Sequence, residues 1–250
     1  MPLFTTLLLS LALITFVSAK FEPYASNGGL LCAIAGPDYC ILATSTELTD
    51  NGVVLKTNLE SSRLYKMGPG YLLTSGCEAD CWGLQSQLRN RISTANFDQS
   101  NEFSSPSNLA ILVSNLLYSR RSFPFYVSCI VAGLSGGCGC VWGYDSIGSH
   151  ELSAIQANGE GSVLLQPILD KLFEGKERRS VPVGEHRVGN DLLPPVKTVV
   201  EDEVAEKAVE KVLSGYRSVM RKEGGNLGMK RLKLVVLRRG VVAEERIVEL

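Results

Sequence analysis

The chain has 250 residues, 45% of them hydrophobic and 20% charged, and a formal net charge of −1. These proportions fit one sizeable domain or at most two small ones and exclude wholesale disorder. The near-neutral balance gives no global basic signature for nucleic acid. The charged runs beyond Asp170 mix both signs, as solvated helix faces and exposed loops do.

Residues 3–17, LFTTLLLSLALITFV, are apolar and lead into Ser18-Ala19-Lys20. An apolar core followed by small residues has the form of a secretory signal, although a basic stretch ahead of it is missing. The run is short for a membrane span of about 20 residues. A hydrophobic propeptide is the other reading. Residues 1–20 are therefore expected to form a leader, with a single domain over 21–250. FEPYASNGG (21–29) reads as an extended polar lead ending in a Gly-Gly turn.

LLCAIAG (30–36) and CILATST (40–46) read as buried strands separated by a turn at Pro37-Asp38-Tyr39. Asp50-Asn51-Gly52 is a turn signal followed by a short strand, VVLKT. GYLLTSG (70–76) is another strand. Glu78 and Asp80 suit the first turn of a helix, whose apolar face carries Leu84, Leu88 and Ile92 at fourfold spacing. After a turn-rich linker at 101–108, Ser105 as N-cap and Pro106 at the first helical position start a second helix running to about Tyr118.

FPFYVSCIVAGL (123–134) reads as a long strand, SGGCG as a glycine-rich hairpin turn, CVWGYD (140–145) as its partner, and ELSAIQA (151–157) as a third strand of that group. GSVLLQPILDKLF (161–173) reads as a helix that Pro167 either starts or bends. Residues 175–198, rich in charge, Gly and Pro, read as a long surface loop. An amphipathic helix follows from about Val200 to Arg221, with Val204, Ala208, Val212 and Tyr216 on one face. EGGN (223–226) stops it, and RLKLVVLRR with VVAEERIVEL forms a terminal hairpin about Gly240. Runs of strands alternating with pairs of helices predict an α+β fold: antiparallel sheets with helices layered outside them.

The chemistry-bearing residues are sparse. Seven cysteines, an odd number at irregular spacing, do not make a disulfide framework. Cys77-x-x-x-Cys81 and Cys138-x-Cys140 lack the four well-spaced ligands of a structural zinc site, and His150 and His186 follow no zinc spacing. Buried thiols in a reducing compartment are expected, with no metal and no cofactor. Cys32 or Cys40 would need a histidine base to act as a nucleophile. SGGCG lacks the lysine of a phosphate loop and lies between two strands. Arg120 and Arg121 suit a helix C-terminus or an interface. Trp82 and Trp142 suit core or subunit-interface anchors.

Four stretches carry a resemblance: FEPYASNGG (21–29) with AIAG (33–36), LLYSRRSFPFYV (116–127), GYDSIGS (143–149) and GEGSVLLQPILD (159–170). On these the chain from Phe21 onward resembles a proteasome beta-type subunit, and among these the non-catalytic members of the beta ring. The resemblance implies a four-layer αββα sandwich of the N-terminal nucleophile hydrolase type, two antiparallel sheets flanked by helix pairs. In catalytic members a threonine hydroxyl is the nucleophile, its own α-amine the base, and a lysine charge sustains it. Carried onto this sequence, the nucleophile position falls on Gly29, which has no side-chain nucleophile, and its neighbour is Leu30. The acidic position falls on Ser45. The lysine falls on Arg63 if two extra residues precede it, or on Ser61 without a gap. A later serine falls on Glu160, and the last Asp and Ser fall near Ser218 and beyond. The usual Asp-Thr-Arg reads Ser45-Thr46-Glu47.

The resemblance thus implies no catalytic residues, no self-cleavage at Gly29, and a lead that stays attached. It further implies a structural subunit for ATP- and ubiquitin-dependent protein degradation in cytoplasm and nucleus. Its partners would be neighbouring beta subunits of the same ring, alpha-ring subunits and the opposite beta ring, with neither nucleic acid nor stable membrane association. The alternative is a secreted or membrane-tethered binding protein that uses residues 1–19 as a signal.

Overall fold

The computed structural model describes residues 25–50, 53–56, 63–97, 105–174, 177–178, 199–200, 204–222 and 230–250. The leader, the 175–198 loop apart from 177–178, and the expected stop at 223–226 lie outside the described residues.

The strands are β1 (Leu30–Ala35), β2 (Tyr39–Ser45), β3 (Leu48–Asp50), β4 (Val53–Lys56), β5 (Leu64–Met67), β6 (Gly70–Gly76), β7 (Val127–Ser135), β8 (Cys138–Tyr144), β9 (His150–Ser153), β10 (Ile155–Gly159), β11 (Glu177–Arg178), β12 (Val199–Val200), β13 (Arg231–Arg238) and β14 (Glu244–Glu249). The helices are α1 (Glu78–Phe97), α2 (Pro106–Ser119), α3 (Ser162–Leu172) and α4 (Ala205–Lys222). None of the described helices is long and apolar enough to cross a membrane.

Two five-stranded antiparallel sheets organise the molecule. One runs β10-β1-β2-β13-β14, the other β5-β6-β7-β8-β9. The period-two alternation of a strand sends successive side chains to opposite faces. In β1, Leu30, Cys32 and Ile34 meet Leu165, Leu169, Val212 and Tyr216 of α3 and α4. The intervening Leu31, Ala33 and Ala35 meet Leu73, Ile130 and Ala132 of the other sheet. On that sheet's far face, Leu72, Cys129 and Val131 pack on Leu84, Leu88, Leu109 and Val113 of α1 and α2. The inner strands of both sheets are covered on both faces and read as near-continuous apolar runs, whereas the edge strands β9 and β14 are largely exposed. The layers are α3/α4, sheet, sheet, α1/α2: the αββα sandwich that the resemblance implies.

Several boundaries differ from the sequence reading. The expected strand 151–157 divides at Ala154. β9 pairs with β8, whereas β10 pairs with β1 in the opposite sheet. The Ala154 carbonyl accepts from Ala35 N at 2.8 Å, so the crossing residue is itself tied to β1. β7 starts only at Val127 because the preceding Phe-Pro-aromatic segment is committed elsewhere. Tyr126 N donates to Asp80 Oδ2 at 2.8 Å, and Tyr126 O accepts from Cys77 N at 2.9 Å, both at the start of α1. Val199 and Val200 pair with β11 instead of opening a helix, and Val204 is exposed rather than core-facing. Pro167 lies inside α3. The carbonyl it deprives of a donor is that of Val163, a residue 84% exposed, where water can reach it. The two-residue turn Gly136-Gly137 joins β7 to β8 with both φ values positive (59° and 88°), the geometry that a tight hairpin requires.

Candidate functional site

The first strand enters the sandwich through Asn27-Gly28-Gly29. Gly28 and Gly29 both adopt positive φ, 72° and 105°, which L side chains rarely adopt. A side chain at either residue would also require neighbouring side chains to move. A Cβ on Gly29 would lie 2.4 Å from Arg63 Nη1 and 2.7 Å from its Cζ. One on Gly28 would lie 2.4 Å from Thr49 Oγ1 and 2.7 Å from Glu160 Oε2.

Arg63 immediately precedes β5 and is 3% exposed. Its Nη1 donates to the Gly28 carbonyl at 2.5 Å. Its Nη2 donates to the carbonyls of Asn27 (2.6 Å) and Glu47 (3.0 Å). Its own carbonyl accepts from Thr74 N in β6 at 2.9 Å, which holds the residue against the sheet. The guanidinium offers a planar fork of donors and no acceptor, a shape suited to bridging carbonyls.

Ser45 ends β2, and its Oγ accepts from Leu30 N at 3.1 Å. Glu160 follows β10, and its backbone N–H donates to the Gly29 carbonyl at 3.0 Å. Gly29, Ser45, Arg63 and Glu160 therefore meet around one backbone segment, although they stand far apart in sequence. The gapped placement on Arg63 is the one that reaches Gly29; Ser61 lies outside the described residues. Ser218 sits on the exposed side of α4 and donates to the Ser214 carbonyl, one turn back.

Two residues of this region were not singled out as contacts by sequence reasoning. Asn27 donates through Nδ2 to Thr49 O (3.1 Å), and its Oδ1 accepts from Glu78 N (2.9 Å) at the start of α1. Glu47, buried where the family's arginine would stand, accepts at Oε1 from Lys230 N (2.5 Å) and Arg231 N (2.9 Å), fixing the start of β13. Their partners are 51 and about 183 residues away, so no local spacing announces them.

No alternative nucleophile is assembled among the described residues. Cys32 and Cys40 are fully buried, and loss of hydration pushes each thiol up to about 12, so neither offers a thiolate near neutral pH. His150 stacks on Tyr144 with ring centroids 5.4 Å apart, on the sheet opposite to Cys32 and Cys40. Thr49 lies beside Gly28 and Ser75 beside Gly159; both are buried, and Ser75 forms part of the wall of the adjacent cleft. A cleft of about 560 Å³ opens next to the segment, lined by Gly28, Gly76, Tyr126, Asp145 and Glu160 among others. Elsewhere, Trp142 is core, whereas Trp82 is 68% exposed on α1. The arginine pair is held by aromatic faces: Arg120 lies 4.6 Å from the Phe125 centroid, and Arg121 lies 4.8 Å from that of Tyr118.

A sandwich with this cluster at the mouth of its first strand defines a class. The sequence model of the proteasome subunit family matches residues 25–181, more than half of the chain, and the chain belongs to that family. Among curated relatives it is similar to proteasome subunit beta type-1 of Dictyostelium discoideum, 36% identical over 60% of this chain and 64% of the relative. The corresponding protein of Arabidopsis thaliana is 38% identical over 66% of this chain and 73% of the relative. That of Danio rerio is 36% identical over 66% and 69%.

Proposed function

We propose that this chain is a non-catalytic beta subunit of the proteasome core particle, completing the beta rings while threonines on other subunits hydrolyse peptides. The observation that carries this reading is Gly29, a residue without a hydroxyl whose side-chain space is taken by the Arg63 guanidinium. Covalent catalysis of this type needs a nucleophile, a base and a group that tunes them. Here the first is missing. At the position of the third stands an arginine, Arg63, in place of a lysine. Self-cleavage at the Gly28 carbonyl needs the same missing hydroxyl. The lead therefore stays attached.

The role is then geometric. The subunit contacts neighbouring beta subunits, the alpha ring and the opposite beta ring, in a particle that degrades proteins in an ATP- and ubiquitin-dependent way in cytoplasm and nucleus. The likeness to relatives named beta type-1 and the intact sandwich support this reading. The test uses an electrophile that captures N-terminal threonines, applied to particles carrying this chain as wild type or as Gly29→Thr. Neither form is expected to take label, because a threonine at 29 would collide with Arg63. Labelling of the wild-type chain would overturn the proposal.

A further inference from the structure

We infer that the hairpin β3–β4 is an assembly arm, which inserts into a groove of an adjacent beta-type subunit so that both faces of β4 are covered at once. β4 carries Val53-Val54-Leu55 and ends in Lys56. Consecutive apolar residues without polar alternation are the pattern of a strand covered on both faces. β1 and β2 carry such runs and are buried throughout. In β4 the fold leaves the same pattern in water: Val53 is 66% exposed, Val54 36% and Leu55 56%. Successive side chains of a strand point to opposite faces, so Val53 and Val54 expose one apolar group on each. Leu55 stands between the pairs Thr49↔Val54 and Leu48↔Lys56, as the extra residue of a bulge.

The arm is tied down at its root. β3 and β4 form a two-stranded sheet separate from the two main sheets. Thr49 N donates to Asn27 O at 3.1 Å, and Thr49 O accepts from Asn27 Nδ2 at 3.1 Å. Two residues earlier, Glu47 O accepts from Arg63 Nη2 at 3.0 Å. The Arg63 cradle is thus also the footing of the arm. Because both backbone polar groups of Thr49 turn toward the entry segment, Thr49 and Val54 make a non-hydrogen-bonded pair, and the N–H and C=O of Val54 point away from β3. β4 therefore presents a strand edge as well as two apolar faces, a combination that invites aggregation unless a partner covers it. An extended polypeptide added to that edge, or a second β4 paired edge to edge, would engage Val54 and leave both faces in water. Covering Val53, Val54 and Leu55 together takes a groove in a folded partner. The chain belongs to a family of subunits of a larger particle, and ring neighbours meet through heterologous contacts, in which one subunit's projection enters a different surface of the next. The adjacent beta-type subunit is the folded partner that such a ring supplies.

The inference rests on the reading that this chain is a beta subunit of the core particle, and one experiment separates the two. The full chain, carrying a photoactivatable phenylalanine analogue at Val53, Val54 or Leu55 in turn, is produced in the source cells. Intact core particles are purified and irradiated, and the cross-linked peptides are identified by mass spectrometry. Cross-links from both Val53 and Val54 to one adjacent beta-type subunit are expected. Cross-links to this chain itself, to an alpha-ring subunit or to a polypeptide undergoing degradation overturn the inference. So do cross-links from one face only, or none from any position. Leu55→Asp places a carboxylate in the groove at a residue outside the core, and is expected to lower this chain's share of assembled particles about tenfold, whereas Leu55→Met keeps it near the wild-type level. Assembly of Leu55→Asp equal to wild type also overturns the inference. If Leu55→Asp does not accumulate in cells, the cross-links decide it. A wild-type chain absent from purified particles contradicts the beta-subunit reading itself. A chain present there without a cross-link to a neighbour contradicts the inference alone.

Discussion

Arg63 places a permanent positive charge at 3% exposure, and among the described residues its bonded partners are three backbone carbonyls. Carbonyl dipoles compensate a buried cation only when they converge on it, as those of Asn27, Gly28 and Glu47 do. Replacing the side chain by Met keeps most of its volume and removes all three bonds. Asn27 O and Gly28 O retain a second donor each, whereas Glu47 O loses the donor described for it. The expected loss is about 1–3 kcal/mol, localised to the entry segment. Amide exchange at residues 27–30 in Arg63→Met should accelerate about five- to hundredfold. Exchange unchanged there would mean that the carbonyl cradle does not hold the segment. The degenerate positions were legible at this scale only through the resemblance, because their identities (Gly, Ser, Arg, Glu) form no recognisable motif. The anchoring roles of Asn27 and Glu47 were not legible, since each acts on backbone atoms brought in by the fold.

At the scale of elements, α4 is joined to the first sheet by more than apolar contact. Tyr216 is fully buried, and its hydroxyl lies 3.2 Å from the carbonyls of both Leu30 and Ala43, on adjacent strands β1 and β2. The contact falls at the residue that follows Gly29, so α4 helps to set the position of the entry segment. Tyr216→Phe keeps the ring and is expected to cost about 1 kcal/mol, read as a lower thermal midpoint for the particle-bound chain. No change would mean that the hydroxyl is dispensable. The strands were legible because a sheet covered on both faces demands unbroken apolar runs such as LLCAIA and YCILATS. α1 and α4 were legible from fourfold spacing, and α2 from Ser105 and Pro106 at its start. The crossing at Ala154 was not, because ELSAIQA keeps the same strand-like composition on both sides of the change of sheet.

For the whole molecule, the proposed reading is that the fold holds the position corresponding to a nucleophile without using it as one. The sandwich, the cleft and the convergence of four chain segments at Gly29 are present, while residue 29 carries no hydroxyl and residue 63 is an arginine. This combination fits a subunit retained for its shape. Intact-mass analysis of the core particle from the cells that express this chain tests that most directly. The expected result is one copy of this chain per copy of the other beta subunits, with Asn27-Gly28 still joined to Gly29. Absence from the particle, or a chain within it that begins at Gly29, would contradict the account.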